Sequence, residues 1–191
     1  MKKEAIRKIY KEKRLQISAA QIVKLNDLML INFQRLVMDI PALIMTYAPI
    51  KKLNEFDPQL ITDYCYFKNP GQQLFYPVIN ENNNIGEMRC AIVDDNTVFE
   101  PNKYGIDEPV DGIDMFKTEI DLVIVPLLGF DILGNRVGYG KGYYDRFLKL
   151  CRKDCVKIGF SYFDGVDKIE DTNDQDVKLD HCITPHHIFS F

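Results

Sequence analysis

Residues 121–126 read Asp121-Leu122-Val123-Ile124-Val125-Pro126. The core of this stretch is four consecutive branched aliphatic residues, without the alternation of apolar and polar residues that marks a strand with one solvated face. Such a run is typical of a central strand that is covered on both faces of a sheet. We therefore predict a buried strand here and expect the rest of the fold to be arranged around it.

Predicted strands and helices alternate on both sides of this stretch. The other predicted strands cover residues 42–48, 74–79, 88–93 and 156–161. The predicted helices cover residues 3–17, 18–40, 57–68 and 142–153, the second starting with a capping box at Ser18 to Gln21. Strands that alternate with helices predict a three-layer α/β/α domain with a mostly parallel central sheet.

Turn and loop residues separate these elements. Asn82-Asn83-Asn84 with Gly86 predicts a turn that returns residues 88–93 as a hairpin partner of residues 74–79. Prolines and glycines spread over residues 100–112 predict a loop before the central strand.

The composition excludes several classes of protein. The chain has 191 residues, of which 46% are apolar, enough for a core, so a disordered chain is excluded. No apolar run approaches about 18 residues, so no membrane span is predicted. No apolar stretch follows the basic N-terminus, and the five cysteines are scattered without a Cys-x-x-Cys pair. We therefore expect a reduced, cytoplasmic protein.

The net charge of −4 hides two opposite segments. Residues 1–14 hold seven basic and two acidic residues, whereas residues 164–180 hold seven acidic and two basic ones. The low total charge argues against a chain that binds nucleic acid by bulk charge. We call the two segments the basic arm (1–14) and the acidic segment (164–180), and we expect them to lie close together as two walls of one site.

A glycine-rich stretch follows the central strand and precedes a predicted helix. Its alternate glycines, Gly138, Gly140 and Gly142, let backbone N–H groups approach an anion closely. In open α/β sheets, ligands bind at the carboxyl ends of the strands, which is where this stretch lies. We call residues 138–142 the glycine segment and predict a phosphate site there. A tight strand-to-helix turn without ligand is the simpler alternative.

Charged residues flank the glycine segment. Arg136 and Lys141 can neutralise phosphate charge, and Asp145 in the first helical turn can hold magnesium beside phosphates. The stretch is not a Walker A loop, because Lys141 is followed by Gly142 rather than by Ser or Thr. Asp145 as a surface partner of the helix dipole remains the alternative interpretation.

The same stretch resembles the signature of the 5-formyltetrahydrofolate cyclo-ligase family. The matching residues run from Gly129-Phe130-Asp131 through Gly134-x-Arg136-x-Gly138-x-Gly140-x-Gly142-Tyr143-Tyr144-Asp145. The resemblance extends to the basic arm, to Asn102-x-x-Gly105-Ile106-x-Glu108-Pro109, to residues 121–126 and to Asn173-x-x-Asp176-x-x-Leu179-Asp180 with Thr184. It therefore covers nearly the whole chain, which we expect to be a single domain over residues 1–191.

The resemblance implies an activity, a fold and a set of site residues. Members of the family convert 5-formyltetrahydrofolate to 5,10-methenyltetrahydrofolate with ATP and magnesium, on a fold related to the ribose-phosphate isomerase and CoA-transferase group. The implied ATP-binding residues are Lys3, Arg7, Arg136, Gly138, Tyr139, Gly140, Lys141, Gly142, Tyr143 and Tyr144. The implied folate-binding residues are Glu55, Tyr139, Gly140, Lys141, Gly142 and Tyr143. The implied magnesium ligands are Asp145 and Asp176.

Two other functions stay open on the sequence. A sugar-phosphate isomerase on a related fold would need an acid/base pair and no ATP. A non-catalytic nucleotide- or folate-binding module would keep the glycine segment and lose the metal carboxylates, whereas Asp145 and Asp176 are both present. We expect ATP and a reduced folate as small-molecule partners of a monomer, with no nucleic acid and no membrane partner.

Overall fold

The computed structural model describes residues 1–79 and 87–191. The predicted turn at Asn82-Asn83-Asn84 and Gly86 lies outside the described residues. In chain order, the strands are β1 (Leu43–Met45), β2 (Gln73–Ile79), β3 (Met88–Val93), β4 (Phe99–Pro101), β5 (Asp107–Pro109), β6 (Leu122–Val125), β7 (Gly129–Phe130), β8 (Arg136–Val137), β9 (Val156–Phe160), β10 (His181–Ile183) and β11 (Ile188–Ser190). The helices are α1 (Lys3–Leu15), α2 (Ala19–Arg35), α3 (Gln59–Lys68) and α4 (Tyr143–Leu148).

The main sheet has the strand order β11-β10-β9-β6-β1-β2-β3 in the described chain. The five strands from β10 to β2 run parallel, and the two edge strands β11 and β3 pair antiparallel with their neighbours. This confirms the predicted mixed α/β fold with a mostly parallel central sheet, including the antiparallel pairing of β2 with β3.

The central strand β6 is covered on both faces, as its sequence predicts. All four of its residues are buried. Leu122 and Ile124 pack into a core cluster with side chains of α2 and α3, whereas Val123 and Val125 pack into a second cluster with side chains of α4. Because alternate side chains of a strand point to opposite faces, helices lie on both sides of the sheet.

Helix α1 lies beside the predicted site. Its buried Ile6 and Tyr10 pack against Leu128, Val137 and Ile169. These partners come from the stretch after β6, from β8 and from the acidic segment, so the basic arm packs against all three. The predicted capping box of α2 is confirmed, with Ser18 and Gln21 exchanging hydrogen bonds. None of the helices in the described ranges is long and apolar enough to cross a membrane.

The helix after the glycine segment is shorter than predicted. It ends at Leu148, not near residue 153. The backbone N–H groups of Leu150 and Cys151 donate to carbonyls three residues back, at Phe147 and Leu148, so the chain tightens into turns before β9. The apolar periodicity that predicts a longer helix continues through these turns. The helix end predicted from the sequence is therefore too late.

Residues 100–112 are not a plain loop. They contain most of a small antiparallel hairpin, β4 paired with β5. The Asn102 side chain accepts hydrogen bonds from the backbone N–H groups of Tyr104 and Ile106 and so stabilises the hairpin turn. The prolines that suggested a loop lie at the ends of the two short strands, where a missing N–H is tolerated.

Candidate active site

One cavity brings together all of the predicted site residues. It opens at the carboxyl ends of β1 and β6, the end of a parallel sheet where ligands bind. The predicted residues in its wall are Lys3, Arg7, Glu55, Arg136, Gly138, Tyr139, Gly140, Lys141, Gly142, Tyr143, Tyr144, Asp145 and Asp176. The basic arm, the glycine segment and the acidic segment therefore face one space.

The glycine segment crosses the cavity between β8 and α4. Gly140 has φ of +94° and Gly142, the N-cap of α4, has φ of +70°. Residues with a side chain rarely adopt this left-handed backbone conformation, so the segment needs glycine at both positions. Arg7 Nε donates to the carbonyl of Gly138 at 2.9 Å, which fastens the segment to α1.

Arg136 and Asp145 form an ion pair at the start of α4. Arg136 Nη2 donates to Asp145 Oδ1 at 2.9 Å, and the same oxygen accepts from the backbone N–H of Val177 at 3.0 Å. Arg136 also donates to the carbonyl of Val177. Burial lowers the pKa of the Arg136 guanidinium, and the Asp145 carboxylate opposes this effect. Through Val177, the pair joins β8 and α4, which flank the glycine segment, to the acidic segment.

Lys3 and Asp176 join the basic arm to the acidic segment. Lys3 Nζ lies 2.7 Å from Oδ1 and 2.6 Å from Oδ2 of Asp176. The backbone N–H of Lys3 donates to Asp171 Oδ1 at 2.7 Å, and the Met1 amine lies 3.1 Å from Glu170 Oε1. The two oppositely charged segments thus form adjacent walls, as the charge distribution predicts.

Glu55 also lines the cavity and is 7% exposed. Its Oε2 accepts from the backbone N–H of Ile50 at 2.8 Å, and its Oε1 accepts from the Tyr139 hydroxyl at 2.8 Å. Burial raises the pKa of this carboxyl, although the Ile50 N–H, the Arg14 charge and the Tyr139 hydroxyl each act to lower it. The structure therefore places a buried acceptor beside the glycine segment.

The carboxylate set fits a magnesium ion that also binds phosphates. Asp145 and Asp176 both line the cavity near the glycine segment. Residues 1–79 and 87–191 contain no cluster of three or more His, Cys, Asp or Glu side chains that could hold a metal without other ligands. Magnesium is commonly held by one or two carboxylates together with substrate phosphates, so a two-carboxylate wall suits it.

Other cavity residues were not predicted. They are mostly apolar or aromatic and lie at strand ends and on the β4–β5 hairpin, namely Tyr47, Ala48, Ile50, Pro77, Ile79, Met88, Tyr104, Ile106, Glu108 and Pro126. The segment with Ile106 and Glu108 carries part of the family resemblance, and that signal pointed to it. The strand-end residues could not be predicted, because in the sequence an apolar residue that lines a cavity cannot be distinguished from one that packs in the core.

Residues 2–185 match the family model described as "5-formyltetrahydrofolate cyclo-ligase family". The chain is 29% identical over 188 residues to the 5-formyltetrahydrofolate cyclo-ligase of Mycoplasma pneumoniae, covering 96% of this chain and 98% of that protein. It is 46% identical over 66 residues to the enzyme of the same name from Mycoplasma genitalium, a match covering 34% of this chain and 39% of that protein. The solved structure of Aquifex aeolicus 5,10-methenyltetrahydrofolate synthetase superposes with a TM-score of 0.80 at 26% identity, covering 100% of this chain and 93% of that one.

Proposed function

The chain belongs to the 5-formyltetrahydrofolate cyclo-ligase family, and we propose that the cavity described above converts 5-formyltetrahydrofolate to 5,10-methenyltetrahydrofolate with ATP as co-substrate. One observation carries this proposal. Residues from the basic arm, from the loop that holds Glu55, from the glycine segment and from the acidic segment all line one cavity. This shared cavity supports the proposal that the phosphate-neutralising groups and the folate acceptor act on ligands bound side by side.

The reaction needs ATP because the formyl oxygen is a poor leaving group. The formyl oxygen attacks the γ-phosphorus of ATP, the bond from that phosphorus to the β-phosphate oxygen breaks, and ADP leaves. N10 then attacks the activated formyl carbon and loses its proton, and the carbon–oxygen bond breaks to release phosphate. No nucleophile from the protein is required, so the protein acts by positioning the groups and neutralising charge.

The nucleotide half of the cavity is built from cations and free backbone. Lys3, Arg7 and Arg136 supply positive charge to the phosphates, and the glycine segment offers backbone N–H groups at close approach. In the structure, Lys3 and Arg136 are paired with the carboxylates of Asp176 and Asp145. Binding of magnesium-ATP would exchange each internal ion pair for a cation–phosphate contact and a carboxylate–metal contact.

Asp145 and Asp176 would hold the magnesium ion, directly or through water. The ion would supply neutralisation of the phosphate charge during phosphoryl transfer. The support is the donor set, because carboxylate oxygens are the protein ligands that magnesium prefers.

The folate half centres on Glu55. A pterin presents neighbouring N–H donors along one edge, and a carboxylate accepts such a pair well. Tyr139 and Tyr143 offer flat ring surfaces at the junction of the two halves, and Tyr139 already contacts Glu55. The reduced folate would lie between Glu55 and the glycine segment, with its formyl group toward the phosphates.

We further infer a cytoplasmic monomer that works as one domain over residues 1–191. All five cysteine thiols are free, which suits a reducing compartment. The mostly parallel sheet with antiparallel edge strands supports a relationship to the ribose-phosphate isomerase and CoA-transferase group.

A direct assay tests the proposed function. Protein, magnesium-ATP and 5-formyltetrahydrofolate are mixed, and the absorbance of the methenyl product is followed together with the ADP released. We expect product that depends on ATP, with one ADP formed per methenyl product. Folded protein that binds ATP and folate without forming product would instead support a binding module, and would overturn the proposal.

A further inference from the structure

Arg14 is a buried cation with no assigned role in the proposed reaction. It is 1% exposed and is among the largest fully buried side chains of the described chain. It lies in the last turn of α1, on the side of the helix that also carries Lys3 and Arg7. A buried charge destabilises a fold unless the structure compensates it, so its surroundings are informative.

The guanidinium of Arg14 donates to two neutral oxygens. It donates to the carbonyl of Leu127, two residues after the central strand β6. Its Nη1 lies 3.3 Å from the hydroxyl oxygen of Tyr139. The Tyr139 hydroxyl in turn donates to Glu55 Oε1 at 2.8 Å. The chain of hydrogen bonds thus runs from α1, through the glycine segment, to the loop after β1.

The direction of this chain follows from the donors and acceptors available. A guanidinium has no acceptor, and an ionised carboxylate has no donor. The hydroxyl of Tyr139 therefore accepts from Arg14 and donates to Glu55, and it joins a buried positive charge to a buried negative one. Each charge compensates the other, and the phenol fixes where the Glu55 carboxylate points.

A second contact fastens the same two regions independently. Asn54, the residue before Glu55, donates from Nδ2 to the backbone carbonyls of Arg14 and Ile17 at 2.9 and 3.2 Å. Asn54 has φ of +47°, so the backbone turns sharply to make this contact. The end of α1 and the loop carrying Glu55 are consequently held together through main chain as well as side chains.

We propose that Arg14 is a positioning residue for folate binding, which acts through the Tyr139 hydroxyl to hold Glu55 as an ionised, correctly aimed acceptor for the pterin. This inference rests on the proposed function, and it concerns the folate half of the cavity. It assigns Tyr139 a role beyond its ring surface, because the hydroxyl carries the link between the two buried charges.

The pH dependence of folate binding follows from the groups that face Glu55. These are Arg14 from α1, Tyr47 after β1, Tyr139 from the glycine segment, Tyr144 from α4 and Tyr162 after β9. Burial raises the pKa of Glu55, and Arg14 and Tyr139 hold it down against burial. The ionised acceptor is lost as pH falls through the pKa of Glu55. Removing Arg14 or the Tyr139 hydroxyl raises that pKa further, so the acid-side loss of binding moves toward neutral pH.

The test compares Tyr139→Phe and Arg14→Met with wild type, and uses Lys8→Met as the matched control. Lys8 is an exposed cation on the same helix, so its replacement removes the same charge without touching this chain of contacts. Equilibrium binding of 5-formyltetrahydrofolate is measured by calorimetry from acid to neutral pH, with a nonhydrolysable ATP analogue present. We expect both variants to bind folate about tenfold or more weakly, as for a lost hydrogen bond to a charged group, and to show the acid-side fall at higher pH. Lys8→Met should follow wild type.

Two results separate failure of this inference from failure of the proposed function. If wild type forms product but the folded Tyr139→Phe protein follows the wild-type binding curve at every pH, the inference is overturned alone. If wild type neither binds folate nor forms product, the proposed function fails with it. Should Arg14→Met not fold, Tyr139→Phe still decides, because it removes a single oxygen from a ring that otherwise stays in place.

Discussion

Asp145 has two partners in the structure, and they determine how it should be tested. Its Oδ1 accepts from Arg136, whose side chain is 4% exposed, and from the backbone of Val177. Replacing Asp145 with Ala would leave the buried guanidinium and the Val177 N–H without their hydrogen-bond acceptor, at a cost of about 1–3 kcal/mol in the free energy of unfolding. Asp145→Ala would therefore combine a loss of stability with the loss of a carboxylate from the proposed metal site.

Asp145→Asn separates these effects, because the amide oxygen can still accept from Arg136 and Val177. We expect kcat/KM for magnesium-ATP to fall by about two powers of ten or more, as when one preorganised charge-stabilising group is removed from a site. The free energy of unfolding should change less than in Asp145→Ala, because both donors keep their acceptor although the counter-charge is lost. Steady-state kinetics and chemical denaturation measure the two quantities.

Asp174→Asn is the control for this prediction. It removes one negative charge from an exposed position of the acidic segment, and it should leave turnover near wild type. Equal turnover in Asp145→Asn and Asp174→Asn would remove Asp145 from the proposed metal site.

The central strand β6 and the helix α4, which follows the glycine segment, were predicted from the sequence with different success. The strand β6 is decided by four local residues, and the structure confirms it. The helix after it, α4, is shorter than predicted because its end depends on turns that connect to β9. The spacing of apolar residues indicates which face of a segment is buried. It does not indicate where backbone hydrogen bonds between residues four apart give way to bonds between residues three apart.

Two glycines of this segment differ in what a side chain would meet. At Gly140, with φ of +94°, an added Cβ would lie 3.3 Å from Arg7 Cζ, whereas at Gly138 it would find no atom within 4 Å. Gly140→Ala should therefore lower the free energy of unfolding by about 1–2 kcal/mol and impair turnover. Gly138→Ala should unfold like wild type.

Thermal or chemical denaturation of the two alanine variants checks this prediction. If Gly138→Ala were destabilised as much as Gly140→Ala, the backbone conformation assigned to the segment would be wrong. If neither variant were destabilised, the left-handed conformation of Gly140 would be contradicted.

At the scale of the whole molecule, the cavity is assembled from parts far apart in sequence. The charge distribution predicted that the basic arm and the acidic segment would meet, and the family resemblance supplied the residues. The sequence did not show that Lys3 would pair directly with Asp176, because no local spacing relates residues 173 positions apart. Nor did it show that Arg14 is buried, because a basic residue on a charged helix usually faces solvent.

We propose that the basic arm and the acidic segment enclose the phosphates of ATP, and the ATP dependence of Lys3→Met tests this proposal. Lys8→Met, on the same helix and equally uncharged, is measured beside it. We expect the KM for ATP to rise about tenfold or more in Lys3→Met, as for a lost charge-assisted contact, and to stay near wild type in Lys8→Met. An unchanged KM for ATP in the folded Lys3→Met protein would show that the basic arm does not contact the phosphates.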